Sequence, residues 1–375
     1  MSVVTDVFER LRRDLLRQVE EEGLDPHADA EAIRARAADA VAAYQRGAHL
    51  GEGAPLHDPE DTTRRLVDAL TRYGALTDLL ERRDVEEVFI EGGQVRFIAG
   101  DGRIRTLAAP TTEEENRQIV ERLLALTPRR LDTASPLTQA RVLGGTARLT
   151  AAIPPVSERL SATIRRHTLR RDTLASLSAA GAMEPAPAAF LWGVMQGQVR
   201  LLVSGPPGAG KTSLLGALLR AVPGDRCIRC CEEIRELTVP LSHGAYYETR
   251  PPGLDGGAEI SLRDLVKFVL AMRPDLIVVG EVRGAEAFEL TRAANAGCGM
   301  ACTIHANHAR AALDALVHAA VMAGENVTEQ ALRAVFAAGV DLVVHCELRQ
   351  AGDSDRAARR RVSEIIAVVP SLHGG

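Results

Sequence analysis

Leu201-Leu202-Val203-Ser204-Gly205-Pro206-Pro207-Gly208-Ala209-Gly210-Lys211-Thr212-Ser213-Leu214-Leu215 decides how the chain is read. Its central eight residues fit the pattern G-x-x-x-x-G-K-[ST] in full. An apolar run precedes them and a helix-prone run follows, which is the strand–loop–helix context the pattern requires. Glycines let backbone N–H groups turn inward on phosphates, and the helix start adds a partial positive charge. Lys211 is spaced to reach the β- and γ-phosphates and the Thr212 hydroxyl to ligate Mg²⁺. The candidate nucleotide-binding residues are therefore Gly205, Pro206, Pro207, Gly208, Ala209, Gly210, Lys211, Thr212 and Ser213. A plain Gly-rich turn capping a helix would not explain the lysine, since the chain has only two, Lys211 and Lys267.

Outward from this loop, strands alternate with helices from about residue 190 onward. Strands are expected at 200–204, 227–231, 276–279, 301–304, 342–345 and 365–369, and the stretch 353–361 as a solvated hairpin or loop. That alternation is the signature of a parallel sheet with crossover helices, an α/β fold. Upstream the pattern is α+β. Strands at 85–90 and 94–98 flank Gly92-Gly93, a helix covers 113–126, and further strands cover 140–143, 147–153 and 161–166. A helix at 59–73 starts with Asp58 as N-cap and Pro59 at its first position. Two charge-rich helices at 3–22 and 30–45 read as exposed or mobile. The expected division is an N-terminal helical region with linker (1–57), an α+β domain (58–178), a connection rich in Ala, Gly and Pro (179–189) and a P-loop domain (190–375).

The whole chain has 375 residues, 46% apolar and 25% charged, with a formal charge of −5. Such a chain is long enough for two or three packed domains and is not disordered throughout. No run approaches the roughly 20 apolar residues of a membrane-spanning helix. The opening residues have no apolar core segment, so they do not read as a secretory signal, and a cytoplasmic protein without direct membrane insertion is expected. The six cysteines do not read as a disulfide framework. Cys227, Cys230 and Cys231 lack the second pair that a zinc site needs and read as core residues. Mild acidity and only 12 aromatic residues argue against nucleic-acid binding.

Three groups are candidates for turning the nucleotide over. Leu276-Ile277-Val278-Val279-Gly280-Glu281 ends a buried strand with a carboxylate. The C-terminal ends of parallel strands share one rim, so Glu281 is expected beside the loop, placed to orient or deprotonate water. Glu232, just after the strand 227–231, is a second water- or metal-orienting candidate. Mg²⁺ would be held by Thr212, with Glu281 and Glu232 acting through water. His305 ends a third strand at the same rim and could read the γ-phosphate. His308 lacks the further ligands that would make a metal site with it.

The order of these motifs resembles the secretion-system ATPases of the type II/type IV family, nearest the TadA/CpaF branch that powers tight-adherence (Flp) pili. The resemblance runs from about 58 to 367. Glu232-Glu233-Ile234-Arg235-Glu236-Leu237 looks like the family's Asp box, with Glu233 in place of the Asp. Thr249-Arg250-Pro251-Pro252 and Ile260-Ser261-Leu262-Arg263-Asp264 match its arginine-bearing segment. Arg273-Pro274-Asp275 through Gly280-Glu281-Val282-Arg283-Gly284 looks like an atypical Walker B, with Gly280 at the first acidic position. His305-Ala306-Asn307 looks like the His box, continued here by His308-Ala309. Upstream, Arg130-Leu131-Asp132, Ala140-Arg141 and Ala151-Ala152-Ile153-Pro154-Pro155 match the end of the N-terminal domain.

The resemblance implies a C-terminal RecA-like P-loop NTPase domain with a smaller α+β N-terminal domain and N-terminal helices. It implies ATP and Mg²⁺ as cofactors and ATP hydrolysis by a homohexameric ring. It also implies work at the inner face of the cell membrane, through inner-membrane platform proteins. Arg148, Arg165 and Arg166 fall where such enzymes bring arginines to the phosphates; Arg250 and Arg263 fall near the γ-phosphate or the subunit junction. Guanidinium groups there neutralise charge on the transferring phosphoryl oxygens. An ordinary ion pair is the alternative for each. Competing readings of the whole are a conjugation-type type IV secretion ATPase, a nucleotide-gated scaffold with little turnover, and a nucleic-acid translocase.

Overall fold

The computed structural model describes residues 3–26, 28–100, 102–109, 111–166, 173–237, 239–252, 258–348 and 360–369. The chain divides into two compact units, Met1–Thr168 and Leu169–Gly375.

The first unit opens with three helices, α1 (Val3–Glu22), α2 (Ala30–His49) and α3 (Pro59–Thr71). Phe8, Leu11, Leu15 and Val19 recur every three or four residues on α1, so they share one stripe. That stripe is buried with Ile33, Ala37 and Val41 of α2 and Leu66, Val67 and Leu70 of α3. The expectation of exposed or mobile helices at 3–22 and 30–45 is thus corrected. The abundant charge lies on the outer faces, and the narrow apolar stripe is enough to pack them. Asp58 accepts from the Asp61 amide and Pro59 occupies the first turn of α3, as its sequence predicts.

A short α4 (Thr77–Glu81) leads into β1 (Val85–Glu91), β2 (Gln94–Ala99) and β3 (Ile104–Thr106). Then follow α5 (Glu113–Ala125), β4 (Leu137–Val142), β5 (Ala147–Ala152) and β6 (Ser161–Arg166). The strands form one antiparallel sheet in the order β3-β2-β1-β6-β5-β4. Alternation puts Val88, Ile90, Leu149, Ala162 and Ile164 on the face that packs on Ile119, Val120 and Leu123 of α5. The opposite face carries a cross-strand row in which Arg148 pairs in register with Arg141 and Arg165, and Arg165 with Glu87.

The second unit contains α6 (Leu174–Ala179), α7 (Pro185–Met195), β7 (Arg200–Ser204), α8 (Lys211–Leu219), β8 (Ile228–Glu232) and β9 (Gly244–Glu248). It continues with α9 (Leu262–Leu270), β10 (Leu276–Val282), α10 (Glu286–Asn295), β11 (Gly299–Ile304), α11 (Ala311–Val321), α12 (Glu329–Gly339), β12 (Leu342–Leu348) and β13 (Arg360–Ala367). The sheet order is β13-β12-β7-β11-β10-β8-β9; every pairing is parallel except β12 with β13. β7 is central and buried on both faces, which is why Leu201-Leu202-Val203 is apolar without alternation. Helices cover both sides, with α9 to α12 packed in one core and α6, α7 and α8 in the other.

Three features differ from the sequence reading. The stretch 179–189 carries the start of α7, and Met183, Ala188 and Leu191 are buried in the second unit's core. β9 went unforeseen because Gly244-Ala245-Tyr246-Tyr247-Glu248 is short and lacks a clear alternation. Arg360 and Arg361, expected in a hairpin or loop, are the first residues of β13, which pairs antiparallel with β12 and so starts earlier than the expected strand at 365–369; residues 353–359 lie outside the described residues. All six cysteines are free and buried, as core residues.

The packing of α1 is directly testable, because Leu15 is 1% exposed and its neighbour Leu16 is 39% exposed. Leu15→Ala should lower the unfolding free energy by about 2–5 kcal/mol. Leu16→Ala should change it by no more than about 0.5 kcal/mol. Denaturant titration of both variants of the full chain measures this, and equal small effects would mean that α1 is not packed.

Candidate functional site

The loop at the end of β7 is built around positions that only glycine satisfies. Gly205 has φ +150°, and a Cβ there would lie 2.3 Å from the Cys346 carbonyl oxygen of β12. Gly210 is left-handed at φ +90° and forms the N-cap of α8. Side chains at either place would need β12 or α8 to move. Lys211, the first residue of α8, is 7% exposed. Its ammonium donates to the carbonyls of Gly205 and Pro206, each at 3.1 Å. The Pro206 carbonyl also accepts from the Ala209 amide at 3.3 Å. Thr212 is half-buried and Ser213 exposed.

Glu281 reaches this lysine because β10 is irregular. Val279 pairs with Cys302 and Val282 with Ile304, so β10 holds one extra residue against β11 at Gly280-Glu281. Such a bulge re-aims the side chains around it. Glu281 Oε1 lies 3.9 Å from Lys211 Nζ and 2.7 Å from His305 Nε2. Lys211 Nζ in turn lies 3.2 Å from His305 Nδ1. An ammonium can only donate, so we assign His305 Nδ1 as the acceptor and Nε2–H as the donor to Glu281. The result is a directed line from Lys211 through His305 to Glu281. Arg283, just past the end of β10, pairs with the other Glu281 oxygen and, at 3.4 Å, with Glu233. Sequence reasoning assigned Arg283 no role of its own, although it stands two residues after Glu281 in the segment that ends at Gly284.

Glu232 takes a different place. It ends β8 opposite Gly280, 3% exposed, and a Cβ at position 280 would lie 2.7 Å from Glu232 Cγ. Its Oε1 accepts from the Glu236 and Leu237 amides at 3.0 and 3.1 Å. Burial outweighs those two hydrogen bonds and pushes the carboxyl up to about 7. The loop glycines, the buried ammonium and the hydroxyl of Thr212 fit a nucleotide with Mg²⁺.

The arginines are dispersed. Arg250 makes a bridge with Ile260 and donates to the Ala258 carbonyl at 3.0 Å. Arg263 is held by Glu289 at 2.9 Å and Glu325 at 2.5 Å, which ties α9 to α10. In the first unit, Arg148 donates to Gln139 at 2.7 Å and Arg165 lies 3.4 Å from Glu87. Arg166 is half-buried, and burial holds its guanidinium below the ordinary arginine range.

The state of Glu232 has a consequence for stability. Its folded-state pKa is raised above the unfolded value of 4.5, so folding favours the proton. The stabilisation is complete at acid pH and is lost as pH climbs through about 7. Glu232→Gln should flatten the decline in stability between pH 5 and 8. At pH 8 it should be the more stable protein by up to about 3 kcal/mol. Denaturant titrations across that range test it; parallel curves for the two proteins would contradict it.

Comparison with known proteins places this geometry in a family. The profile of the type II/IV secretion system protein family matches residues 77–366. A Mycobacterium tuberculosis protein whose provisional description is conjugal transfer is 36% identical over 320 residues, covering 83% of this chain and 88% of the relative. The type IV secretion system protein PtlH of Bordetella pertussis is 30% identical over 318 residues, covering 78% and 92%. Among solved structures, the pilus retraction motor PilT with bound ADP superposes with a TM-score of 0.58 at 19% identity over 80% of this chain and 83% of that one. The Legionella pneumophila ATPase DotB gives 0.53 at 15% over 75% and 76%. Those two likenesses concern the fold, a RecA-like α/β core with a smaller N-terminal domain. The match over 77–366 and the identity with full-length relatives establish the rest: this chain belongs to the type II/IV secretion system protein family.

Proposed function

We propose that this chain hydrolyses ATP as a homohexameric motor of a type II/IV secretion machine. The observation that carries the reading is the convergence of Lys211, His305 and Glu281, from three separate elements, on the mouth of a glycine loop. Gly205 to Ser213 surround the phosphates, the residues other than Pro206 and Pro207 offering backbone N–H groups, and Lys211 compensates the β/γ charge. Thr212 would hold Mg²⁺, with Glu281 and Glu232 reaching it through water; bound Mg²⁺ and ATP supply the polarised phosphoanhydride. Glu281 orients the attacking water and takes up its proton, Arg283 pairs with the second carboxylate oxygen and holds the side chain in place, and His305 ties the Glu281 position to that of Lys211. Arg250 suits the subunit junction better than Arg263, whose charge two carboxylates already neutralise.

The motif order supports a pilus-assembly role of the tight-adherence type, acting at the inner membrane face through platform proteins. The chain itself offers no helix, among the described residues, long and apolar enough to cross a membrane. A conjugation-type export role is the second reading, favoured by the description of the 36% identical relative.

Three measurements test the proposal. Lys211→Ala should lose tight ATP binding, because the β/γ charge loses its ammonium. Glu281→Gln should keep ATP affinity but hydrolyse it roughly 10²–10⁴-fold more slowly in single turnover. Hydrolysis within a few-fold of wild type would move the catalytic role to another group, Glu232 first. Turnover per chain should also rise with protein concentration as rings form. A constant value from dilute monomer to hexamer would remove the junction arginines from the mechanism.

A further inference from the structure

The phosphate loop has a second neighbour that the nucleotide chemistry above does not use. β12 runs parallel to β7, with Val344 opposite Val203 and His345 opposite Ser204, so it accompanies β7 up to the first loop residue. At that point Ser204 Oγ and His345 Nδ1 lie 2.9 Å apart, with both residues buried. The next carbonyl, that of Cys346, fills the space where a Gly205 side chain would stand. β13 then pairs antiparallel with β12, Arg360 opposite Leu348, which brings Arg360 to the outer edge of the loop. Arg360 Nε donates to the Gly208 carbonyl at 2.9 Å, and its Cδ lies 3.5 Å from the position a Cβ on Gly210 would take.

We propose that the pair β12–β13 shapes the phosphate loop and that Arg360 is its positioning residue. This rests on the nucleotide-site reading of residues 205–213. The peptide bond is planar, so the Gly208 carbonyl and the Ala209 N–H are opposite ends of one rigid plate. The Ala209 N–H donates to the Pro206 carbonyl at one end of that plate, and the Arg360 guanidinium holds the Gly208 carbonyl at the other, so the two contacts together fix its roll. The residue it acts on is the one that needs fixing: Gly208 has φ +75°, and glycine adopts either sign of φ with little preference. The base of this clamp is rigid, because Ser204, Gly205, His345 and Cys346 are packed against one another inside the sheet. A cation 152 residues away in sequence thereby sets the aim of a backbone donor in the loop. Planar, fork-shaped and permanently charged, arginine suits that role better than lysine.

The test compares the full-length wild type, Arg360→Ala, Arg360→Lys and Lys211→Ala, by titration with ATP and Mg²⁺ and by steady-state turnover. Arg360→Ala should raise Kd and KM for ATP about tenfold, the range of one charge-assisted hydrogen bond, with kcat reduced less than threefold. Arg360→Lys should recover part of the affinity, and thermal midpoints should agree, since Arg360 is exposed. Affinity within twofold of wild type in Arg360→Ala overturns the proposal. So does a loss confined to kcat, or a fall in affinity that tracks a fall in thermal midpoint and is not restored by lysine. A wild type that fails to bind ATP would instead overturn the nucleotide reading itself.

Discussion

A buried ammonium is the constraint on which the second unit's architecture turns. Lys211 sits at the start of α8 with almost no exposure, and a cation there is tolerable only if its neighbours are acceptors. The carbonyls of Gly205 and Pro206 and the ring nitrogen of His305 meet that need, and Glu281 supplies the opposing charge at 3.9 Å. The loop carbonyls, His305 and Glu281 come from three parts of the chain, yet all lie at one rim. Parallel strands make this possible, because β7, β10 and β11 all end on the same side of the sheet. Remove the lysine and the arrangement of β10 and β11 ends around it has no common object.

Getting a carboxylate to that rim required a departure from regular pairing. A regular β10 would have carried Glu281 in step with β11, whereas the extra residue at Gly280-Glu281 rotates it onto Lys211 and His305. Gly280 can occupy that bulge because Glu232 covers it from β8, where any Cβ would collide with Glu232 Cγ. The missing acid of the Walker B strand and the buried acid of the neighbouring strand are therefore one feature. A side chain on 280 would displace Glu232, and a smaller residue at 232 would leave a void over 280.

The sequence made the loop and its flanking elements legible because their signals are local: a fixed spacing, an apolar run before it and a helical run after it. Glu281 and His305 were legible for a related reason, since both sit at the ends of apolar strands, and parallel strand ends converge. The packing of α1 and α2 was hidden by charge: Phe8, Leu11, Leu15 and Val19 form a stripe one residue wide among arginines and acids. Arg263 shows the limit of carrying roles from motif to motif, for its place in the pattern says nothing of Glu289 and Glu325, which hold it. Arg360 was the least visible: a hairpin or loop at 353–361 is legible in the sequence, but not which of its charges reaches the Gly208 carbonyl.

That last case bears on how such a loop can be tuned. Residues 205–213 determine which groups face a phosphate, but glycines at 205, 208 and 210 leave their directions underdetermined. Within the loop, the Ala209 amide and the Lys211 ammonium hold the carbonyls of Gly205 and Pro206, but among the described residues no contact from 205–213 holds that of Gly208. Rigidity must come from outside, and the elements available are the strands beside β7. β11 supplies His305 on one flank. β12 supplies His345 and the Cys346 carbonyl on the other, with Arg360 reaching over from β13. The conformational freedom that lets the backbone close on an anion is thus balanced by contacts from residues 94 to 152 positions away, on both sides of the strand that carries it.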